Sequence, residues 1–310
     1  MINLPDDRLD LDDVERLTDW VELSLFAGDS DVLSTTAIAD VIHDSLLVDD
    51  DEAHTQQQAA VERAEDILRT VRQRRRSVGT AYPFIVKNDV VVRKAEWHHN
   101  LCFATLLVAD LGRFYKTVNT KFDPASPFPR LFEKIVKVSL QEIFGGTAVR
   151  FGVPREEDWP TGIDGRLNRL ASEFGLTVES LKGKTEPNDG DLGLDVAVRF
   201  KFGDEGAGSG VLLTQCATGE NWRGKKGEPS LMEWSRLIDW RSPLMRALAF
   251  PWRRDVDFRK FGRLSLRFEA IFFDRMRLLS GGNPDARLAP SEGERIQAWC
   301  SARLCEFPAV

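Results

Sequence analysis

Glu133, Asp195 and Gln215 are the residues whose types and spacing could do chemistry. Glu133 stands beside apolar residues that recur at helical spacing: Phe132, Ile135, Val136, Leu140 and Ile143. Asp195 follows Gly193-Leu194, where an alternating stretch begins. Gln215 comes 20 residues later, inside the largely apolar run Val211–Cys216. Carboxylates and a carboxamide offer oxygen donors, the kind of ligand that a hard divalent cation prefers. Such a cation in turn suits hydrolysis at phosphorus, where charge builds on oxygen in the transition state. Taken singly, Glu133 reads as a solvated helix residue and Asp195 as a turn or edge residue. Gln215 is harder to dismiss, because an amide among apolar strand residues needs partners.

Bringing the three together requires particular elements. Pro129–Phe144 reads as an amphipathic helix closed by Gly145-Gly146. Leu194–Phe202 alternates apolar and polar residues as a half-buried strand does, and Val211–Cys216 reads as a central strand. A hairpin of these strands sets the start of one beside the end of the other, so Asp195 and Gln215 fall at one sheet edge. Glu133 would then reach over from the flanking helix. Arg166–Phe174 reads as a further helix, Met245–Phe250 and Leu264–Phe273 as further strands, and Ala286–Cys305 as loop and closing helix.

The segments Leu192-Gly193-Leu194-Asp195-Val196 and Gln215-Cys216-Ala217-Thr218-Gly219-Glu220-Asn221-Trp222, with the helix Glu133 before them, resemble the PD-(D/E)xK nuclease superfamily. Within it they look like a restriction-endonuclease-like branch found in bacterial genome defence. The resemblance covers roughly residues 129–280 and rests on degenerate motifs. It implies an α/β (α+β) fold with a central mixed sheet flanked by helices, over residues 126–310. It also implies a metal-dependent DNA endonuclease, of the kind that serves as effector of an anti-phage defence system. In that reading Asp195, Gln215, the Cys216 backbone carbonyl and Glu133 hold Mg²⁺ or Mn²⁺, with Glu133 either a direct ligand or the holder of a metal-bound water.

One position departs from the family pattern. The family places a lysine that orients or deprotonates the attacking water where this chain has Ala217. Three readings stay open. Ala217 replaces a lysine of the parent sequence and inactivates the enzyme; or Lys201, Lys225 or Lys226 has taken over the role; or the chain is a non-cleaving relative that still grips nucleic acid. A protein-interaction subunit without nucleic-acid contact is a further alternative.

The charge distribution bears on partners. The chain has 310 residues and a net charge of −7. Residues 1–60 hold 16 acidic and 2 basic side chains, a balance of −14, while residues 61–310 hold 33 acidic and 40 basic, a balance of +7. A basic body suits a polyanion such as duplex DNA; the acidic front does not. Asn221, Trp222, Arg223, Lys225 and Lys226 could contact a phosphate backbone and stack on a base, or else be a buried Trp in a solvated basic loop. Arg74, Arg75 and Arg76 crowd a helix end, where they suit the helix dipole or contact phosphates. A further basic stretch, Arg253, Arg254, Arg259, Lys260 and Arg263, is interleaved with Trp252, Phe258 and Phe261, and would line a nucleic-acid groove or cover a sheet edge. Asp189 and Asp191 read as turn residues, with the alternative that these nearby carboxylates substitute in the site.

Residues 1–125 read as a mostly helical domain for regulation or partner docking, with helices over Leu11–Phe26, Ala37–Leu47, Gln56–Arg76 and His99–Phe114. Ser34-Thr35-Thr36 caps the second, Asp49–Glu52 is an acid run at a loop or helix start, and Phe84–Val92 is a short strand or a hairpin with Asn88-Asp89 at the turn. The Pro-rich stretch Phe122–Pro129 marks the boundary. No basic, apolar leader opens the sequence, and its longest uncharged apolar stretch, within Asn100–Ala109, is about half of what a bilayer requires. The expectation is a cytoplasmic protein without membrane contact, with reduced cysteines, open to a protein partner in a multi-subunit defence complex and to self-association.

Overall fold

A computed structural model describes residues 1–4, 13–45, 53–115, 117–118, 126–156, 158–178, 185–186, 189–202, 209–253 and 258–308, with the side chains of residues 53, 220 and 258–261 left out. The acid run at 49–52, the stretch 122–125, Pro187-Asn188, residues 203–208 and Arg254 lie outside the described residues. The chain is mixed α/β and packs as two units, residues Met1–Lys121 with Ala289–Val310, and residues Phe122–Leu288.

The first unit opens with α1 (Val14–Ala27), whose N-terminus is capped by the Asp13 carboxylate accepting from Arg16 N–H at 3.1 Å. A short strand β1 (Val32–Ser34) leads into α2 (Thr35–Ser45), where Ser34 Oγ accepts from Ala37 N–H. The long α3 (Ala53–Val78) follows, then the hairpin β2 (Phe84–Lys87) and β3 (Val90–Arg93), with β1 completing a three-stranded sheet in the order β1-β3-β2. The turn falls at Asn88-Asp89, Asn88 taking a positive φ of 52° that Asn tolerates better than most residues. The buried helix α4 (Leu101–Leu111) comes next. Tyr82, Phe84, Phe26 and Phe103 meet edge to face in the core, which is why Tyr82-Pro83-Phe84 makes a packing corner rather than a surface loop.

The second unit begins with α5 (Phe128–Phe144). Gly145 ends it in the left-handed region, φ 63°, a conformation that glycine adopts without steric cost. Then come β4 (Thr147–Arg150), α6 (Ile163–Glu173), β5 (Thr177–Val178), β6 (Val196–Arg199), β7 (Val211–Cys216), α7 (Leu231–Trp234), β8 (Ile238–Asp239), β9 (Leu244–Ala249), α8 (Phe258–Phe268), β10 (Ile271–Phe273) and α9 (Arg275–Leu278). The central sheet has five strands in the order β10-β9-β7-β6-β4. It is mixed: β4, β6 and β7 pair antiparallel, while β7, β9 and β10 run parallel. The apolar run of β7 is explained by its central place, buried on both faces. Helix α5 packs across β4, β6 and β7. One apolar cluster joins Leu167 and Leu170 of α6 and Trp234 of α7 to Ala197 and Leu213 of the sheet.

Three expectations change. The stretch Leu264–Phe273 is not one strand: its first half is the end of α8 and only Ile271–Phe273 is extended. Leu264 and Phe268, four residues apart, face the same apolar cluster, so helical spacing prevails over the local alternation of Leu264-Ser265-Leu266. The strand expected over Leu194–Phe202 narrows to Val196–Arg199. The closing helix, α10 (Pro290–Leu304), packs on α4 and so belongs with the N-terminal unit rather than with residues 126–288.

Candidate functional site

The antiparallel β6–β7 pairing sets the start of β6 beside the end of β7, with Val196 opposite Thr214. On the other side of β6, Arg150 at the end of β4 stands opposite Val196. One edge of the sheet therefore carries Arg150, Asp195 and Gln215. The backbone of Asp195 is fixed on both sides. Its N–H donates to Thr214 O at 3.1 Å, and its carbonyl accepts from Phe151 N–H at 2.7 Å and Gly152 N–H at 3.2 Å.

The side chains converge as well. Asp195 Oδ2 accepts from Gln215 Nε2 at 2.7 Å and from the Cys216 N–H at 2.7 Å. Glu133 reaches the same edge from the first turns of α5. Both carboxylates close on Gly152: a Cβ placed there would lie 2.6 Å from Glu133 Oε2 and 2.9 Å from Asp195 Oδ1. Gly152 is thus required by the site itself, since any side chain would occupy the space the two acids share. Gln215 spends its amide nitrogen on Asp195, and its Oε1 is buried with no hydrogen-bond partner among the described residues.

These groups are withdrawn from water. Glu133, Asp195 and Gln215 are 7%, 5% and 6% exposed. Burial pushes the Glu133 carboxyl up to about 7, against the pull of Arg150. Burial also raises Asp195 well above the usual carboxylate range, the neighbouring Glu133 adds to this, and the Cys216 N–H opposes it. The Cys216 thiol is held above its ordinary value by burial and then by the charges of Asp195 and Glu133. Sequence reasoning missed Arg150, which ends a strand of only four residues. Its Nη2 lies 2.7 Å from Glu133 Oε2 and its Nη1 3.2 Å from Glu156 Oε1. Glu156 also meets Arg130 at 3.0 Å and Lys134 at 3.5 Å. The signal available was Arg150 itself, a charged residue next to Val149 in a strand otherwise short and apolar. Gly152 could have been suspected from the Phe-Gly-Val-Pro sequence only as a turn.

The oxygens fit a hard divalent cation. The unpartnered Gln215 Oε1 is an acceptor awaiting a donor or a metal, and two buried carboxylates disfavoured in their charged forms would both be relieved by a cation. Among the described residues no three His, Cys, Asp or Glu side chains gather at metal-binding spacing; the donor set here is two carboxylates, an amide oxygen and a backbone carbonyl.

The other residues singled out in the sequence divide. Ala217, 4% exposed, packs against Trp222, Leu248 and Phe250, and its N–H donates to Ala249 O at 2.8 Å. Trp222 is not available to stack on a base. It lies buried against Phe250, Phe268 and Phe272, with ring centroids 5.6, 5.6 and 6.5 Å away. Asn221, Arg223 and Lys226 are exposed, and Lys225 Nζ pairs with Glu228 at 3.1 Å. Of the lysines weighed as stand-ins, Lys225 is the one whose charge acts on Asp195. Asp191 accepts from Gly193 N–H at 3.0 Å, and Asp189 from Glu186 N–H at 2.8 Å, the turn chemistry expected of them.

Arg74 leaves the list of phosphate contacts. It is buried in the first unit, 2.6 Å from both Asp19 and Glu22 and 2.7 Å from Glu15. Burial works against its charge, but Glu22 and Asp19 outweigh that and raise its pKa. Tyr82 O–H donates to the same Glu22 and is held well above the usual phenol range by burial and then by Glu22. Arg75 donates to Gly79 O and Tyr82 O, both at 2.6 Å, closing the end of α3, while Arg76 is exposed. The His98 and His99 rings lie against each other at a tilt of 54°, with centroids 4.1 Å apart. The four cysteines are free thiols. No described helix is long and apolar enough to cross a membrane.

No protein-family model, no curated protein and no solved structure matches the chain.

Proposed function

We propose that residues 122–288 form a PD-(D/E)xK-type nuclease domain whose site takes Mg²⁺ or Mn²⁺ and acts on DNA phosphodiesters. The observation that carries this reading is the meeting of Glu133 and Asp195 at one sheet edge around the space that Gly152 leaves open, with Gln215 joined to Asp195 through Nε2 and its buried Oε1 unpartnered among the described residues. A mixed sheet with α5 across three of its strands is consistent with a restriction-endonuclease-like fold.

Asp195, Gln215 Oε1, the Cys216 carbonyl and Glu133 would hold the cation. When bound, a divalent cation polarises phosphoryl oxygens and makes water a better nucleophile. The protein's own groups do the rest. The Cys216 N–H and Gln215 Nε2 orient the Asp195 carboxylate. Arg150 fixes Glu133 through its Nη2 and brings permanent positive charge to a buried edge, where it favours an anionic phosphate. Without metal, burial holds the Glu133 carboxyl at about 7; a bound cation would favour its charged form. Buried apolar neighbours of Ala217 keep bulk water from that side.

The second reading, a nucleic-acid-binding subunit that does not cleave, is favoured by Ala217 itself, which brings no charge to the place where the family has lysine. One experiment separates the two. The chain as it stands and the variant Ala217→Lys are incubated with plasmid DNA and Mg²⁺ or Mn²⁺. The nuclease reading expects Ala217→Lys to nick or linearise the plasmid and Asp195→Asn in that background to abolish it. Absence of cleavage by both chains would refute it.

A further inference from the structure

We infer that α8 and the 3-10 turn Glu220–Lys225 together form a docking surface for the phosphate backbone of a nucleic acid, running up to the Asp195 edge. The inference deepens the nuclease reading and rests on it. Helix α8 reads Phe-Arg-Lys-Phe-Gly-Arg-Leu-Ser-Leu-Arg-Phe, with four basic residues and no acidic one. Helical register places Arg263 and Arg267, four residues apart, along one face. At 1.5 Å per residue they are about 6 Å apart, roughly two phosphate steps at ~3.4 Å of axial rise along one strand.

The helix is tied to the site by packing. Phe268 of α8 stacks on Trp222 of the turn with ring centroids 5.6 Å apart and an interplanar angle of 27°. Exposed Arg223 lies over the same indole, its guanidinium carbon 4.6 Å from the ring centroid. Arg246 of β9 ties the end of α8 to the segment after the turn, donating from Nε to Pro229 O at 2.9 Å and from Nη1 to Phe268 O at 3.2 Å. The apolar cluster that binds them starts at Ala217, two residues beyond Gln215. Buried Trp222 thus serves as the mount for this surface and not as a base-stacking platform.

The exposed charges Arg223, Lys226, Arg263 and Arg267 outnumber the one exposed acid beside them, Glu269. They suit a polyanion with regularly spaced charge. An anionic lipid surface fits less well, because Leu266 is the one large apolar side chain that the described part of α8 leaves exposed, too little to insert below a headgroup layer.

The test uses the full chain and a fluorescein-labelled duplex of mixed sequence, with EDTA to prevent cleavage, and reads anisotropy over a series of KCl concentrations. Replacing Arg263 and Arg267 by Gln, both exposed and outside the metal-binding machinery, should lower the slope of log K against log [salt] by about 1.8 and weaken binding in proportion. Replacing the exposed Arg72 of α3 and Arg295 of α10 should leave the slope unchanged. An unchanged slope for Arg263→Gln/Arg267→Gln, or no salt-dependent binding by the parent chain, overturns the docking surface. So does selective loss of binding to phosphatidylserine vesicles. The cleavage assay with Ala217→Lys is independent of these arms, so failure of the docking surface and failure of the nuclease reading can be told apart.

Discussion

Raising the pH from about 5 to about 8 in the absence of divalent metal should destabilise residues 122–288, because Glu133 must give up a proton that its buried position favours. Its carboxyl moves from an ordinary 4.5 to about 7 in the fold. The folded state therefore holds more protons than the unfolded chain between these values, and stability falls with rising pH. The contribution is fully present below pH 4.5 and is lost as the pH passes through 7. At ~1.4 kcal/mol per pK unit the whole effect is roughly 3 kcal/mol, most of it falling between pH 5 and 8. For a unit of this size that is on the order of 5–10 °C in melting temperature. Asp195 is raised by the same causes and adds in the same direction. The assay is urea or thermal unfolding at several pH values, comparing the parent chain with Glu133→Gln. The amide keeps the shape and removes the titration, so the variant's profile should be flatter by at least that amount; carboxylates away from the site cancel in the comparison, while Asp195 loses the part of its shift that Glu133 causes and flattens the profile further. Saturating Mn²⁺ should flatten the parent profile too. Parallel profiles for the two chains would refute the reasoning.

Gly152→Ala should weaken binding of Mn²⁺ at least tenfold with little change in overall secondary structure, because its Cβ would fall 2.6 Å from Glu133 Oε2 and 2.9 Å from Asp195 Oδ1; isothermal titration calorimetry reads this. Arg150→Met should cost about 3–5 kcal/mol in denaturant unfolding, since Glu133 and Glu156 lose a buried partner. Arg74→Met should cost a similar amount, because it strands Asp19 and Glu22 in the core of the first unit, yet leave the salt slope of DNA binding unchanged.

The sequence was most informative where polar residues interrupt apolar patterns. Glu133, Asp195 and Gln215 are brought to one edge because a hairpin with period-two alternation and an amphipathic helix can be read from one chain, and their packing follows from it. The hairpin over residues 84–93, the Ser34 cap and the Gly145 stop were legible for the same reason, each being a local rule. The fate of Trp222 and Arg74 was not. Whether an aromatic or a guanidinium faces solvent depends on partners distant in sequence: Phe268 lies 46 residues from Trp222, and Asp19 lies 55 from Arg74. Arg150 and Gly152 were missed because their roles exist only once β4 stands beside β6. Helix α8 was half misread because five residues of alternation mimic a strand when the helical apolar spacing that continues them is not counted. Placing α10 with the first unit depends on α4, nearly two hundred residues earlier, and no local signal announces it.

The most direct measurement is Mn²⁺ titration of the full chain followed by electron paramagnetic resonance, with Asp195→Asn alongside. One ion bound per parent chain, and binding at least tenfold weaker in Asp195→Asn, is the predicted result. No bound Mn²⁺, or binding indifferent to Asp195, would mean that the carboxylates gathered at Gly152 serve only the fold.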